Sequence, residues 1–354
     1  MPPSRARRLP NNNTIIPSGG DMSVRALITY EDQSFALEEV VLPNPGPEHV
    51  VVRTTCSGVS IGTEFSMIRD KLNRGAYPLC TGYQGVGVIE EVGRDVVGFA
   101  PGDKVYHRHN SSMQLPDGTD ISILSGTHCS HVIMDPVQSH GFALLPEGVN
   151  DDVASMFVMP AVGFHGVDMA NPHVGDTVIV YGCGLIGLGV VNACSNRGCV
   201  VVAIDIDADR LALARKMGAD HLINGSAEDQ IEVVYTIAPE GADVVFECSG
   251  IPACVDPAFK LCRTHGKFIW QGHYGDAPLA YDFRQPHGRQ VTTFYPCNDG
   301  LEPCRRAVLK NMAGGVLPWH HTITHSTNAD DAPALYERIN RGEPVIGAVI
   351  HWSD

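Results

Sequence analysis

The pattern of hydrophobic and polar positions changes near Pro146. Before this proline, short apolar runs are separated by Gly, Pro and Asp turns, which predicts a β-rich region that begins at about Val24. After it, apolar runs of strand length alternate with segments of helical spacing, which predicts parallel strands joined by right-handed helical crossovers. The sequence therefore predicts an α/β protein in which a β-rich part precedes a doubly wound parallel sheet.

The individual elements follow from the same patterns. In the β-rich part, strands are predicted at 24–28, 50–54, 85–93, 104–106 and 131–134, with a polar loop at 107–127. Beyond Pro146, helices are predicted at 151–156, 163–170 and 208–217, and strands at 178–181, 199–204, 242–247 and 267–270. Open parallel sheets bind ligands beyond the carboxyl ends of their strands, so the ends of these later strands are the first place to expect a site.

The stretch from 178 to 205 combines a strand, a glycine turn, a helix and a second strand that ends in an acid. Gly182 permits the tight turn, Gly184 lets backbone N–H groups approach a pyrophosphate, and Gly187 lets the helix lie close to the strand. Asp205 is placed to accept hydrogen bonds from the adenosine ribose. The combination predicts a nicotinamide dinucleotide site, and the alternative is a glycine-rich turn that binds nothing.

The same acid bears on the choice of dinucleotide. The carboxylate of Asp205 repels a 2′-phosphate, which predicts NAD rather than NADP as the cofactor. Because cofactors lie beyond the carboxyl ends of parallel strands, Gly250 and the segment 271–274 are expected to face the dinucleotide.

Composition narrows the class of protein. The 354 residues suffice for about two domains, and the net charge of −15 argues against a nucleic-acid surface. No apolar run reaches membrane-spanning length, so no membrane association is expected. The 11 cysteines form no CxxC pair, which is typical of reduced thiols and indicates a cytoplasmic location. Residues 1–21 are rich in Pro and Asn and lack an apolar core, which predicts a disordered leader.

Several motifs together resemble the medium-chain dehydrogenase/reductase superfamily, the fold of zinc alcohol dehydrogenases. They are GVSIGTE (58–64), GYQGVGVIEEVG (82–93), PGDKV (101–105), GFHGV (163–167), YGCGLIG (181–187), VFECSG (245–250) and ITH (323–325). The resemblance implies a GroES-like catalytic domain at 22–159 and 298–354 that encloses a Rossmann domain at 160–297. It also implies a homodimer or homotetramer that assembles through the edge of the Rossmann sheet.

The sequence departs from the zinc-binding members of this superfamily. Their GHE motif reads Gly82-Tyr83-Gln84, their first cysteine ligand falls at Ser60, and their later ligand falls near Val158 or Met159. The segment 106–128 also lacks the cysteines of their structural zinc lobe. Since zinc takes thiolate, imidazole or carboxylate ligands, these departures predict that no catalytic zinc is bound.

A metal site built from other residues is the alternative. If they lay on a strand, His107 and His109 would share one face, and His128 and His131 follow in the same domain. No cysteine or carboxylate lies at a matching spacing, so solvated or sheet-facing histidines are the favoured interpretation.

Among zinc-free relatives, the GVSIGTE and GYQ motifs are most similar to a group that includes bacteriochlorophyllide dehydrogenases, which oxidise a secondary alcohol with NAD. The resemblance implies an NAD-dependent, zinc-independent alcohol dehydrogenase, and the polar residue set suggests a sugar, cyclitol or polyol as substrate. Two alternatives remain open. One is a zinc-free quinone or enoyl reductase that uses NADPH, and the other is a protein that senses NAD(H) without turnover.

A site without a metal needs a general base and neutral hydrogen-bond donors. Tyr83 is the first candidate for this role and Glu64 the second, with Thr63 as a proton relay and Ser60 and Gln84 beside the substrate. Alternatively, Tyr83 only fills space, and Glu64 forms an ion pair with Arg69 or Arg74.

The glycine motif and the resemblance together also assign residues to the cofactor. Arg210 corresponds to a position near the adenosine ribose in related enzymes, and Trp270 has a packing role as its alternative. The full set expected around NAD is Gly182, Gly184, Leu185, Ile186, Gly187, Asp205, Ile206, Arg210, Ser249, Gly250, Trp270, Gln271 and Gly272.

Overall fold

The structure, a computed structural model, describes residues 24–69, 75–137, 141–275 and 277–352. The leader predicted at 1–21 lies outside these residues, as does Arg74. Within them, no helix is both long and apolar enough to cross a bilayer. The predicted α/β class is confirmed, since mixed sheets precede a parallel sheet flanked by helices.

The β-rich part contains short strands and one helix, α1, at Ile61–Ile68. Its strands are β1 Arg25–Thr29, β2 Phe35–Glu39, β3 Val50–Val59, β4 Leu79–Cys80, β5 Gly85–Val92, β6 Lys104–His107, β7 Met113–Gln114, β8 Asp120–Ile123, β9 His131–Met134 and β10 Phe142–Leu144. β7 and β8 lie in the segment predicted as a loop. Two-residue and four-residue strands show no periodicity in sequence, but they bury Met113 and Ile121 against the neighbouring sheet.

The parallel part and the return segment supply the remaining elements. The helices are α2 Asp151–Ser155, α3 Val158–Ala170, α4 Leu185–Asn196, α5 Ala208–Lys216, α6 Gln230–Ile237, α7 Pro252–Leu261, α8 Arg284–Arg289, α9 Leu301–Ala313 and α10 Ala332–Asn340. The strands are β11 Thr177–Tyr181, β12 Val200–Asp205, β13 His221–Asn224, β14 Ala242–Glu247, β15 Cys262–Trp270, β16 Thr292–Phe294, β17 Ile323–Asn328 and β18 Gly347–His351.

Three sheets organise these strands. One has the order β2-β1-β4-β8-β7, and the second has the order β10-β6-β5-β3-β18-β17, with β9 paired to β3. The chain's last strands, β17 and β18, therefore return to the sheet of the β-rich part. The third sheet, β13-β12-β11-β14-β15-β16, is parallel throughout and reverses its order at β11, where such sheets bind ligands.

The two parts meet along α3, which packs on α4. Small residues allow this close approach, because a Cβ added to Gly163 would lie 2.6 Å from the carbonyl oxygen of Ile186. A Cβ added to Gly189 would likewise lie 2.8 Å from the Cα of Pro160. α3 therefore holds the start of the nucleotide loop against the β-rich part, and it begins with Val158 and Met159.

Candidate active site

The glycine turn after β11 has the geometry of a phosphate-binding loop. Gly182 has a φ of +97°, which favours glycine, and a Cβ at Gly187 would lie 2.0 Å from the carbonyl oxygen of Gly182. Gly184 is the N-cap residue just before α4 and provides no side-chain cap. A Cβ added to Gly184 would meet nothing within 4 Å. The first turn of α4, which includes Leu185 and Ile186, contains no acid. An anion therefore finds open space at an unopposed positive helix end.

Asp205 lies at the end of β12 beside this loop. Its carboxylate accepts hydrogen bonds from the backbone N–H groups of Cys183, at 2.6 Å, and Asp207, at 3.0 Å. The side chain thus fixes the loop while one edge stays at the surface. Next to it, Ile206 is 71% exposed, which offers an apolar surface of the kind an adenine ring covers. Arg210 lies one turn along, 3.9 Å from the carboxylate of Asp207.

Glu247, a residue that the sequence analysis missed, ends β14 and is fully buried. Its carboxylate accepts hydrogen bonds from the backbone N–H groups of Ser249, at 3.0 Å, and Gly250, at 3.2 Å, and from the hydroxyls of Ser249 and Tyr274. Burial, followed by the charge of Glu247, raises the pKa of the Tyr274 phenol well above its usual value. Glu247 holds the Ser249–Gly250 loop in place. In the sequence, the only sign of this role is an acidic residue within the largely apolar stretch VFECSG.

Trp270, the last residue of β15, and the residues after it have different surroundings. Trp270 packs among Phe259, Phe268 and other aromatic rings, which matches its alternative assignment as a packing residue. Gln271 points instead to α3, where its Nε2 donates to the carbonyl of Val162 at 3.1 Å. Gly272 lies against Gly250, since an added Cβ would come within 2.4 Å of the Gly250 nitrogen.

Ser60, Tyr83 and Met159, three of the residues that the resemblance compared with zinc-ligand positions, come together in one buried cluster. The phenol of Tyr83 is hydrogen-bonded to the Ser60 hydroxyl, and the Met159 sulfur lies 3.9 Å from the phenol oxygen and 3.8 Å from Oγ of Ser60. Ser60 precedes α1, and Met159 lies in the first turn of α3. The cluster therefore sits at the junction of the two parts of the chain.

Arg108 contacts Tyr83 and is joined to two charged residues from a later part of the chain, Asp299 and Arg305. Nε of Arg108 donates to the Tyr83 carbonyl at 3.1 Å, and its guanidinium lies 5.6 Å from the ring centre. Asp299 joins Arg108, at 2.7 Å, to Arg305, at 2.6 Å. Burial alone would raise the pKa of Asp299, but its bonds to Arg305 and the charge of Arg108 hold it below the usual value. Burial raises the pKa of Tyr83 to about 12, so its phenol stays protonated at neutral pH.

Glu64 points away from this cluster into a buried network. Its carboxylate accepts from the backbone N–H of Ser60 at 2.7 Å and from the Tyr336 hydroxyl at 2.9 Å, and it lies 3.0 Å from Nε2 of His128. The ring of His128 continues to Ser57 at 2.8 Å. Burial would raise the pKa of Glu64, but the charge interaction and hydrogen bond with His128 hold it below the usual value.

The structure thus gives Glu64 partners other than the arginines considered from the sequence. Arg69 is instead hydrogen-bonded to Asn340 at 2.9 Å. The network positions Ser60 through its backbone, whereas Thr63 lies on the exposed side of α1, near the Tyr83 phenol. Thr63 therefore connects the buried hydroxyls to the surface.

Gln84 faces the start of α3. Its Oε1 accepts from the backbone N–H of Val158 at 3.0 Å, while Nε2 has no hydrogen-bond partner among the described residues. Gln84 therefore links the residue just before β5 to α3, the helix that carries Met159.

The donor atoms of the Ser60, Tyr83 and Met159 cluster do not fit a zinc ion. Zinc takes thiolate, imidazole nitrogen or carboxylate oxygen, whereas this cluster offers a hydroxyl, a phenol with a raised pKa and a thioether. By contrast, the loop at Gly184 with its open helix end fits a dinucleotide pyrophosphate.

The histidines considered as alternative ligands have separate surroundings. His131 lies 3.3 Å from Glu90, whereas His128 belongs to the Glu64 network. His107 is fully buried with no partner among the described residues for either ring nitrogen, and burial, followed by the charge of His109, lowers its pKa to about 3. These histidines do not form a common site among the described residues.

A β-rich part joined to a parallel sheet with a dinucleotide loop at its switch point defines a two-domain dehydrogenase fold. Two family models match the chain: the alcohol dehydrogenase GroES-like domain over residues 46–143 and the zinc-binding dehydrogenase domain over residues 186–300. Both matches support the medium-chain dehydrogenase/reductase superfamily of zinc-type alcohol dehydrogenase-like proteins.

Known proteins support this assignment. An alcohol dehydrogenase of Cupriavidus necator is 25% identical, in an alignment that covers 89% of this chain and 94% of the relative. A sorbitol dehydrogenase of Halalkalibacterium halodurans is 28% identical over 73% of this chain and 79% of its own. The structure of an alcohol dehydrogenase from Thermus sp. ATN1 superposes with a TM-score of 0.80 at 21% identity, over 92% of this chain and 99% of its own, which shows the shared fold.

Proposed function

We propose that this protein is an NAD-dependent, zinc-independent oxidoreductase that interconverts a secondary alcohol and a ketone on a hydroxylated small molecule. Relatives named alcohol dehydrogenase and sorbitol dehydrogenase support the reaction type and a polyol-like substrate, and we extend the proposal to sugars and cyclitols. The observation that carries the proposal is the cluster of Ser60, Tyr83 and Met159, in which a hydroxyl, a phenol and a thioether come together at residues that the resemblance compared with zinc ligands.

The chain's own residues supply the acid–base part of this reaction. When bound, NAD accepts the hydride from the alcohol carbon. The phenol of Tyr83, hydrogen-bonded to Ser60, polarises the substrate oxygen and takes up its proton as it passes its own proton to Thr63. Because Thr63 is exposed, the proton then leaves to water, and ketone reduction follows the same route in reverse.

Substrate reaches these hydroxyls only by displacing a side chain. Tyr83 is 8% exposed and Ser60 2% exposed, and the Met159 sulfur contacts the oxygens of both. Methionine is unbranched and adopts many rotamers, so Met159 is the group that most easily gives way to the substrate oxygen. The same methionine excludes water from the cluster before substrate binds.

The test is an oxidation screen of polyols, sugars and cyclitols with NAD and with NADP, on protein dialysed against a chelator. The proposal expects NAD-linked turnover that survives chelation. Activity with NADPH and an enone or quinone alone would replace it with a reductase of activated double bonds. Tight NADH binding without turnover on the whole panel would favour a sensor.

Asp205→Asn is expected to reduce the ratio of NAD to NADP efficiency by about tenfold, which corresponds to ~1.4 kcal/mol. Asparagine keeps an oxygen for the Cys183 N–H but removes the charge that repels a 2′-phosphate. Steady-state kinetics with both cofactors measure the ratio. Asp209→Ala, an acid in the first turn of α5, is the matched control and is expected to leave the ratio unchanged. An unchanged ratio in Asp205→Asn would refute this role of the acid.

We infer that the protein forms a homo-oligomer through the edge of the parallel sheet. β16 is its terminal strand, and Phe283 and Tyr295 beside it are 64% and 65% exposed. Large apolar side chains at an open edge are typical of an interface between copies. Sedimentation velocity is expected to show a dimer or tetramer, with dissociation in a Phe283→Asp/Tyr295→Asp variant. A monomeric parent protein would contradict the inference.

A further inference from the structure

Three side chains of zinc-binding type converge where β3, α2 and β18 meet. Cys56 lies on β3, Asp152 in the first turn of α2 and His351 at the end of β18. The Cys56 sulfur and one ligand atom of each of the other two all lie within 4.8 Å of one another. Among the residues that the structure describes, no other set of three such groups comes together in this way.

We propose that Cys56, Asp152 and His351 bind a divalent transition metal of the zinc class as a structural site. Thiolate, imidazole and carboxylate are the ligand types that zinc prefers, and they are the types missing from the Ser60, Tyr83 and Met159 cluster. The two groups share no residue, so the metal site does not depend on the proposed function.

The distances suit an ion with little rearrangement. Nε2 of His351 lies 3.5 Å from Oδ1 of Asp152, close to the ~3.3 Å that separates two ligand atoms 2.0 Å from a tetrahedral zinc. Two hydroxyls adjoin the ligands, Ser155 Oγ at 3.4 Å from the Cys56 sulfur and Ser326 Oγ at 2.9 Å from Nε2 of His351. They supply either a fourth ligand or the hydrogen bonds that orient a bound water.

Access and burial also fit a structural ion. The Cys56 sulfur is at the closed end of the group because its residue is fully buried, whereas about a third of the His351 and Asp152 side chains is exposed. An ion therefore enters from the His351 and Asp152 side and meets the sulfur last. Cysteine ligation requires loss of the thiol proton, which the metal promotes when it binds.

A bound ion would act on the position of α2. It would tie β3 and β18 to this helix, and the chain runs from α2 directly into Phe157 and Met159 at the domain junction. The ion would therefore fix the path of the segment that carries Met159. Because this site is separate from the catalytic cluster, one zinc per chain in the purified protein would not by itself show that a metal is bound at that cluster.

Cobalt(II) reports on this site because a cobalt–thiolate bond absorbs in the near ultraviolet. The full-length protein, stripped with a chelator and titrated with Co²⁺ and with Zn²⁺, is expected to bind one ion and to develop this absorption. His351→Gln and Asp152→Asn are each expected to weaken binding by more than the ~10–100-fold lost with an outer-shell partner. Both positions are partly exposed, so both variants are expected to fold, which far-ultraviolet circular dichroism checks.

His325→Gln is the matched control. His325 lies on the neighbouring strand β17, 3.1 Å from Glu343, and is expected to leave the cobalt spectrum and affinity unchanged. The proposal is overturned if the parent protein shows no cobalt–thiolate absorption. It is equally overturned if both His351→Gln and Asp152→Asn keep the full absorption and affinity, because the thiolate then belongs to another cysteine.

Discussion

Replacing Tyr83 by phenylalanine is expected to lower kcat for NAD-linked alcohol oxidation by ~10²–10⁴-fold, the usual contribution of a positioned acid–base group. The phenol is hydrogen-bonded to Ser60 and lies 3.9 Å from the Met159 sulfur, and in the proposed mechanism it is the group that meets the substrate oxygen. Phenylalanine keeps the ring that Arg108 covers and removes only the hydroxyl. Steady-state kinetics at saturating NAD, with a thermal melt to confirm folding, measure the effect.

Tyr106→Phe is the control for this change. Tyr106 is also a buried tyrosine of the β-rich part, but its ring packs on Phe157 and it belongs to no cluster at the ligand positions. Its kcat is expected to remain close to that of the parent protein. If Tyr83→Phe also keeps its kcat, Tyr83 only fills the space of a metal, and the proposed mechanism is wrong.

The raised pKa of Tyr83 gives this mechanism a pH signature. Burial raises the pKa to about 12, so the phenol keeps its proton above the usual phenol value of about 10. Ketone reduction, which needs a protonated donor, is therefore not expected to lose activity through Tyr83 as the pH rises through that usual value. Alcohol oxidation instead depends on passing the proton to Thr63 and water, which a more alkaline solvent favours.

The dinucleotide loop was predictable from sequence because its determinants are local. Gly182, Gly184 and Gly187 lie in one turn; Gly182 has a positive φ, and a Cβ added to Gly187 would lie 2.0 Å from the carbonyl oxygen of Gly182. The positions of Ser60 and Tyr83 followed from motif alignment with the superfamily, and the structure brings the two hydroxyls into contact.

The partners of these residues were not predictable, because they come from distant parts of the chain. Glu64 meets Tyr336, and Arg108 meets Asp299, across separations of 272 and 191 residues. No local pattern encodes such a pairing, since it depends on the return of the C-terminal segment to the first sheet. The face of the sheet to which the Trp270 side chain points could not be predicted either, because it depends on the exact register of β15.

Glu64→Gln is expected to lower the free energy of unfolding by ~3–5 kcal/mol, the cost of breaking a buried ion pair by removal of one partner. Glu64 and His128 are both fully buried, and the carboxylate accepts from three donors, which are Ser60 N–H, the Tyr336 hydroxyl and His128. Glutamine retains the size and one acceptor but turns an NH₂ group toward a donor. Urea denaturation at neutral pH measures the loss.

The dependence of this loss on pH follows from the lowered pKa of Glu64. A carboxyl group whose pKa is lower in the folded than in the unfolded state stabilises above the unfolded value of about 4.3 and loses this contribution as the pH falls through the folded value. The difference between parent protein and Glu64→Gln is therefore full at neutral pH and shrinks in acid below that unfolded value.

A carboxylate–histidine pair with an exposed carboxylate provides the control for Glu64. Glu90 lies 3.3 Å from His131 and 2.9 Å from Arg53, but 37% of its side chain is exposed, so Glu90→Gln is expected to cost about 1 kcal/mol or less. The Tyr83 and Glu64 variants should then show opposite effects: Tyr83→Phe loses turnover with its fold intact, and Glu64→Gln loses stability while the folded fraction keeps most of its kcat. If Glu64→Gln instead abolishes turnover without loss of stability, Glu64 is the base, and the proton leaves through His128 and not through Thr63.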